Sequence, residues 1–153
     1  MFDSITNDIL TQLLAETKAL NAKFKPAVDA SKTATVYVTL NAPIAQANNN
    51  NSVTLQLDRA IISVDGISLT TDNEVAMQTL TNRLEINGTE IFPQEYEAKA
   101  LYTYPSVEGD KRYSNLDKFP AGNQQVKITT KDLNPGSFTP YNVRYYLKCT
   151  KAL

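Results

Sequence analysis

The chain is expected to be mainly β, an antiparallel β-sandwich or barrel preceded by one N-terminal amphipathic α-helix. Three observations point there. The hydrophobic period changes at Pro26 from that of a helix to a strict alternation. About eight to ten short alternating segments follow, separated by turn-forming residues. Beyond Pro26 no segment carries the apolar stripe of a second good helix.

The N-terminal element comes first. Residues 4–24 read as a helix capped by Ser4 or Asp3 and stopped by Pro26. Phe2, Ile5, Ile9, Leu13, Leu20 and Phe24 fall on one stripe, widened by Leu10 and Leu14. Asp3 and Asp8 suit the positive end of the helix dipole, Lys23 and Lys25 the negative end. The expected organisation is therefore a helical arm over 1–25 and a β-sandwich domain over 26–153. The stripe must be buried, either on the domain's own sheet or on a neighbouring subunit. The second destination is expected, which makes Phe2, Ile5, Ile9 and Leu13 candidate interaction residues.

The strands follow in order. Val36, Val38 and Leu40 alternate with Thr35, Tyr37 and Thr39; Val53, Leu55 and Leu57 alternate with Thr54, Gln56 and Asp58. Segments 60–64, 67–70 and 75–80 are further candidates. Leu84 and Ile86 precede Asn87-Gly88, a strong two-residue hairpin signal into 89–92, and Asp65-Gly66 reads as another turn. Tyr96, Ala98, Ala100, Tyr102 and Tyr104 form a two-residue series. Val126 and Ile128 mark a short strand. The clearest strand is the last, where Tyr141, Val143, Tyr145, Leu147 and Cys149 share one face. Asn48–Asn51 is a polar loop. The longest connection, 105–125, carries Asp110, Lys111, Arg112, Tyr113, Asp117, Lys118 and Phe119, so it is expected to be an interaction loop with Arg112, Tyr113 and Phe119 as anchors.

Composition bounds the chemistry. A chain of 153 residues with 42% hydrophobic and 20% charged residues can bury a core without disulfides or metals. A net charge of −1 supplies no field for nucleic acid, and the local cluster Lys18, Lys23, Lys25 and Lys32 is opposed by Glu16 and Asp29. No basic leader opens the chain and no apolar stretch is long enough for a membrane span, so a cytoplasmic origin is expected. The sequons at Asn50 and Asn87 then read as loop chemistry.

The chain has no histidine and one cysteine. His-dependent triads, His bases and cysteine metal clusters are thereby removed, and no glycine-rich phosphate loop is present. Glu95 and Glu97 share a strand face and could pair as acid and base, but Lys99 continues that face and favours a solvated ion pair. Cys149 continues an apolar face and reads as an inert core thiol. The eight tyrosines could stack on sugars, although Tyr141 and Tyr145 fall on the expected core face. No enzyme activity, no cofactor and no metal are expected.

A capped N-terminal helix or arm, an antiparallel domain of many strands, long polar loops and no catalytic set together resemble the single jelly-roll virion proteins of bacterial viruses. The stretch Leu84-Glu85-Ile86-Asn87-Gly88-Thr89-Glu90-Ile91-Phe92-Pro93 looks like a hairpin of phage structural proteins, and the closing Tyr141–Thr150 strand has a similar look. The resemblance covers the whole chain in architecture without a diagnostic motif. It implies a jelly-roll-like capsid shell, vertex or decoration subunit that binds copies of itself and other virion proteins, made in a host cytoplasm and located in the virion. It brings no catalytic residues. A β-sandwich binding module for carbohydrate or a receptor is the competing class, and a carboxylate enzyme a third.

Overall fold

The structure, a computed structural model, describes residues 32–103 and 107–153, and before them only Gln12 and Glu16, both helical and exposed. The remainder of the expected 4–24 helix lies outside the described residues, with Phe2, Ile5, Ile9, Leu13, Lys18, Lys23 and Lys25. By internal contacts the chain divides into two units, Met1–Ala30 and Ser31–Leu153.

The second unit is two four-stranded antiparallel sheets. Its strands are β1 (Thr33–Ile44), β2 (Asn50–Gln56), β3 (Ile61–Thr71), β4 (Leu80–Ile86), β5 (Thr89–Glu97), β6 (Ser114–Pro120), β7 (Gln125–Asp132) and β8 (Tyr141–Ala152). One sheet runs β1-β8-β3-β6 and the other β2-β7-β4-β5. The pairing is nested: β1 with β8, β2 with β7, β3 with β6, β4 with β5. The chain thus behaves as one long hairpin whose paired arms pass back and forth between the sheets.

Alternation produces this packing directly. In β8, Tyr141, Val143, Tyr145, Leu147 and Cys149 are buried while Asn142 and Arg144 are exposed. Leu40, Ala42 and Ile44 of β1 and Ile67 and Leu69 of β3 complete that sheet's inner face. Leu80, Leu84, Ile86, Val126 and Ile128 face them from β4 and β7. The core also holds polar groups. The Tyr145 hydroxyl donates to Asn82 Oδ1. Asp132, almost fully buried, accepts from the Tyr141 hydroxyl at 2.9 Å, from Thr79 Oγ1 at 2.7 Å and from the Asn134 amide at 2.9 Å. A buried tyrosine needs such an acceptor, and a buried carboxylate needs its lone pairs filled.

Asn87-Gly88 forms the expected tight hairpin between β4 and β5, with φ of +50° and +75°. Several other expectations are corrected. Asp65-Gly66 is no turn: 60–64 and 67–70 belong to the single strand β3, and the dipeptide is a bulge inside it. Asp65 accepts from the hydroxyls of Ser63 and Thr150, both at 2.6 Å, which pins it to β8. Gly66 is required by crowding, since a Cβ there would lie 2.9 Å from Tyr113 Cβ.

Segment 75–80 is mostly a 3₁₀ turn, Glu74–Gln78, capped by the Asn73 side chain. The Tyr96–Tyr104 series breaks at the 3₁₀ turn Ala98–Ala100, where alanines lack the β-branched shape that a strand favours. The 105–125 connection is not a plain loop. It contains a 3₁₀ turn, Gly109–Arg112, and the whole of β6, kinked where Asp117 and Lys118 both take positive φ. Charged residues and Pro120 hid this edge strand from its pattern.

Candidate interaction surface

The outward face of the β1-β8-β3-β6 sheet gathers the residue types best suited to contact. Tyr37, Thr39 and Asn41 on β1 lie opposite Lys148, Tyr146 and Arg144 on β8. Ser68 and Thr70 on β3 lie opposite Tyr146 and Arg144 from the other side. Alternation makes this face: every second residue points out, and here those residues are hydroxylated, amide-bearing, aromatic or basic, although Ser68 is itself buried.

At one end Tyr37, 56% exposed, stacks on Tyr113 with ring centroids 5.7 Å apart. Burial and the neighbouring Tyr37 push the Tyr113 phenol above its ordinary range, although a hydrogen bond with Ser68 opposes the shift. Arg112 is held beside the pair; its Nε donates to the Val107 carbonyl at 2.5 Å, and its own carbonyl accepts from Thr103. In the middle a hydrogen bond with Arg144 pulls the Tyr146 phenol down.

At the other end Asn41, Thr70, Thr71, Asp72, Asn142 and Arg144 line an open polar groove of about 520 Å³. Arg144 Nε donates to Asn41 Oδ1 at 3.1 Å. Asp72 accepts from the Asn142 amide at 2.8 Å and its side chain at 3.3 Å, and the backbone hydrogen bond holds the carboxyl below its ordinary range.

The outer face of the other sheet is different. Arg83 pairs with Glu90 at 2.7 Å and with Glu85 at 3.4 Å, and Lys127 approaches Glu85 at 3.8 Å. Such a solvated network contributes little to stability and offers no exposed aromatic anchor.

The candidate residues separate on the structure. Arg112 and Tyr113 come together with Tyr37, but Phe119 does not join them. It lies opposite Val64 of β3, partly buried and packed against the core. Sequence reasoning set Tyr37, Arg144 and Tyr146 opposite the apolar faces of their strands but did not single them out as interaction candidates. The signal was available, because all three alternate out of phase with the apolar face of their strands.

Lys32 is exposed at the start of the domain. Glu97 pairs with Lys99 at 2.9 Å, both exposed on the surface. Cys149 is fully buried, and desolvation pushes its thiol up to about 11. Among the described residues no group of three or more His, Cys, Asp or Glu side chains could hold a metal ion, and no helix is long and apolar enough to cross a membrane.

No family model matches the chain, and no curated protein matches it. Among solved structures it is similar to the serine protease of Aeromonas sobria, at 12% identity and a TM-score of 0.44, over 87% of this chain and 29% of that one. This chain thus spans less than a third of that protein's length. The finding corrects one expectation. The chain was expected not to be an enzyme, yet the protein it is similar to is one, and that expectation is withdrawn. A likeness at this level transfers no catalytic residue.

Proposed function

We propose that this chain is a virion structural subunit with a jelly-roll domain, a shell, vertex or decoration protein that assembles with copies of itself and with other virion proteins. The observation that carries the reading is the nested strand order, β1-β8-β3-β6 over β2-β7-β4-β5. It corresponds to the wiring of a double-sheet jelly roll, an architecture used by viral capsid domains, lectins and cupins. Fold alone does not select among those uses. The surface favours assembly: Tyr37, Tyr113 and Tyr146 spread across a sheet face beside Arg112 and Arg144, and Tyr and Arg are over-represented where proteins bind one another. On this reading the protein is made in a host cytoplasm and resides in the virion.

Negative-stain microscopy of the purified full chain tests it. Shells, rings or discrete closed oligomers are expected; particles no larger than a single chain at every concentration would overturn it.

One observation favours a second reading, a carbohydrate-binding module. The groove around Asp72, Asn142 and Arg144 presents carboxylate, amide and guanidinium groups together. Binding of the labelled full chain to a glycan array, lost on Asp72→Ala, would favour that reading; no binding to any glycan would exclude it.

A further inference from the structure

A sheet edge is a row of unpaired backbone groups, and proteins usually blunt it with charge, proline or a bulge. Two edges of this sandwich are blunted in that way. β5 carries Glu90, Glu95, Glu97 and Pro93, and its register with β4 shifts twice. β6 carries Asp117 and Lys118, both at positive φ, ends in Pro120 and is bulged against β3.

The other two edges, β1 and β2, carry no charge and no register shift, and β1 is the longer, with twelve residues against seven. It has no charged residue from Thr33 to Ile44, and it pairs with β8 over its whole length without one register shift. Its inward Val36 and Val38 are only half-buried, unlike Leu40, Ala42 and Ile44 further along. Tyr37 stands more than half exposed between them. In the sheet order, no strand among the described residues lies on the far side of β1. At its C-terminal end Pro43 has no N–H, and its carbonyl already accepts from Asn51 Nδ2 at 2.7 Å. The usable edge therefore runs from Thr33 to Asn41, with Tyr37 at its midpoint.

We propose that this edge pairs antiparallel with β1 of a second copy, about a two-fold axis at Tyr37, fusing two β1-β8-β3-β6 sheets into one. The proposal rests on the self-assembly reading and names the contact that drives it. The strand's own pattern selects the occupant. An antiparallel pairing centred on a residue keeps the inner face against the inner face, whereas one centred between residues would set apolar against polar. Centring on Tyr37 puts Val36 opposite the second copy's Val38, Thr35 opposite its Thr39, and the two Tyr37 side chains against each other. Apolar meets apolar and hydroxyl meets hydroxyl, the pairs that stabilise antiparallel sheets. No charge is brought against a like charge. A two-fold contact must be self-complementary in this way.

The test uses charge reversal at the two exposed threonines. Sedimentation equilibrium is run on the full chain, on T35K/T39K and on T35K/T39E, with thermal melting of each to establish that the domain is folded. In T35K/T39K two like-charge pairs face each other across the axis, and association is expected to weaken by about tenfold or more. In T35K/T39E the same positions face each other with opposite charge, and association is expected to return to the wild-type range or above. Three results would overturn the proposal. A wild-type chain that stays monomeric removes it together with the self-assembly reading. Association that T35K/T39K leaves unchanged removes the β1 edge alone. Association lost in both variants removes the Tyr37-centred pairing.

Discussion

Tyr145 and Asn82 show how a single polar contact shapes this core. Tyr145 is fully buried and its hydroxyl reaches Asn82, whose side-chain nitrogen is buried without a partner among the described residues. Tyr145→Phe strips the remaining partner from Asn82 Oδ1 and is expected to cost roughly 1–3 kcal/mol in urea unfolding. Replacing both sides, Tyr145→Phe with Asn82→Leu, removes the stranded amide as well and should recover much of that loss. A double variant no better than the single one would mean that Asn82 has another partner in solution.

Cys149 gives the pH prediction. Its thiol ordinarily titrates near 9 and is raised to about 11 in the folded domain, chiefly by desolvation. The folded state holds this proton more tightly than the unfolded state, so its contribution to stability is complete below pH 9 and is lost as pH rises through 11. Tyr141 and Tyr145 are raised as well and act in the same direction. Melting temperature is therefore expected to fall between pH 9 and 11, and iodoacetamide at pH 8 should label Cys149 rapidly only in denatured protein. Fast labelling of the folded chain would contradict the burial.

At the scale of elements, what the residues made legible depended on how local the determining physics was. The Asn87-Gly88 hairpin and the alternation of β8 could be read because each depends on a few adjacent residues. Asp65-Gly66 misled because the same dipeptide serves a turn or a bulge, and only contacts with Tyr113 and Thr150, distant in sequence, decide which. β6 was hidden because an edge strand is allowed charges and proline that a central strand is not. Of the candidate surface, Arg112 and Tyr113 were legible as contact residues and Tyr37 as an outward-facing one, but its stack on Tyr113 was not, since it joins residues remote in sequence.

Gly122 tests how tightly such an element is held. A Cβ there would lie 2.6 Å from the Ile61 carbonyl oxygen, so Gly122→Ala must move backbone at the β6–β7 turn. A loss of about 1–3 kcal/mol is expected by chemical denaturation. Gly109→Ala meets no atom within 4 Å and should be close to neutral. Equal effects at the two positions would contradict the packing described for that turn.

At the scale of the molecule, the sandwich has two dissimilar sides. One outer face is an ion-paired, solvated network, and the other is a sheet of tyrosine, threonine and arginine ending at an uncharged edge. Tyr37 belongs to both that face and that edge. Because it is exposed, Tyr37→Ala should leave the melting temperature of the isolated subunit nearly unchanged while reducing association, since an aromatic anchor at the centre of an interface commonly contributes 2 kcal/mol or more. If Tyr37→Ala destabilised the subunit without affecting association, the residue would be part of the fold and not of a contact.

The assembly proposed for this domain is tested most directly by the mass of the full chain in solution across a wide concentration range, measured by sedimentation equilibrium. A mass that rises to a defined multiple of the single chain is expected, with two-fold pairing as its smallest step. A single-chain mass maintained up to the highest concentration would contradict it.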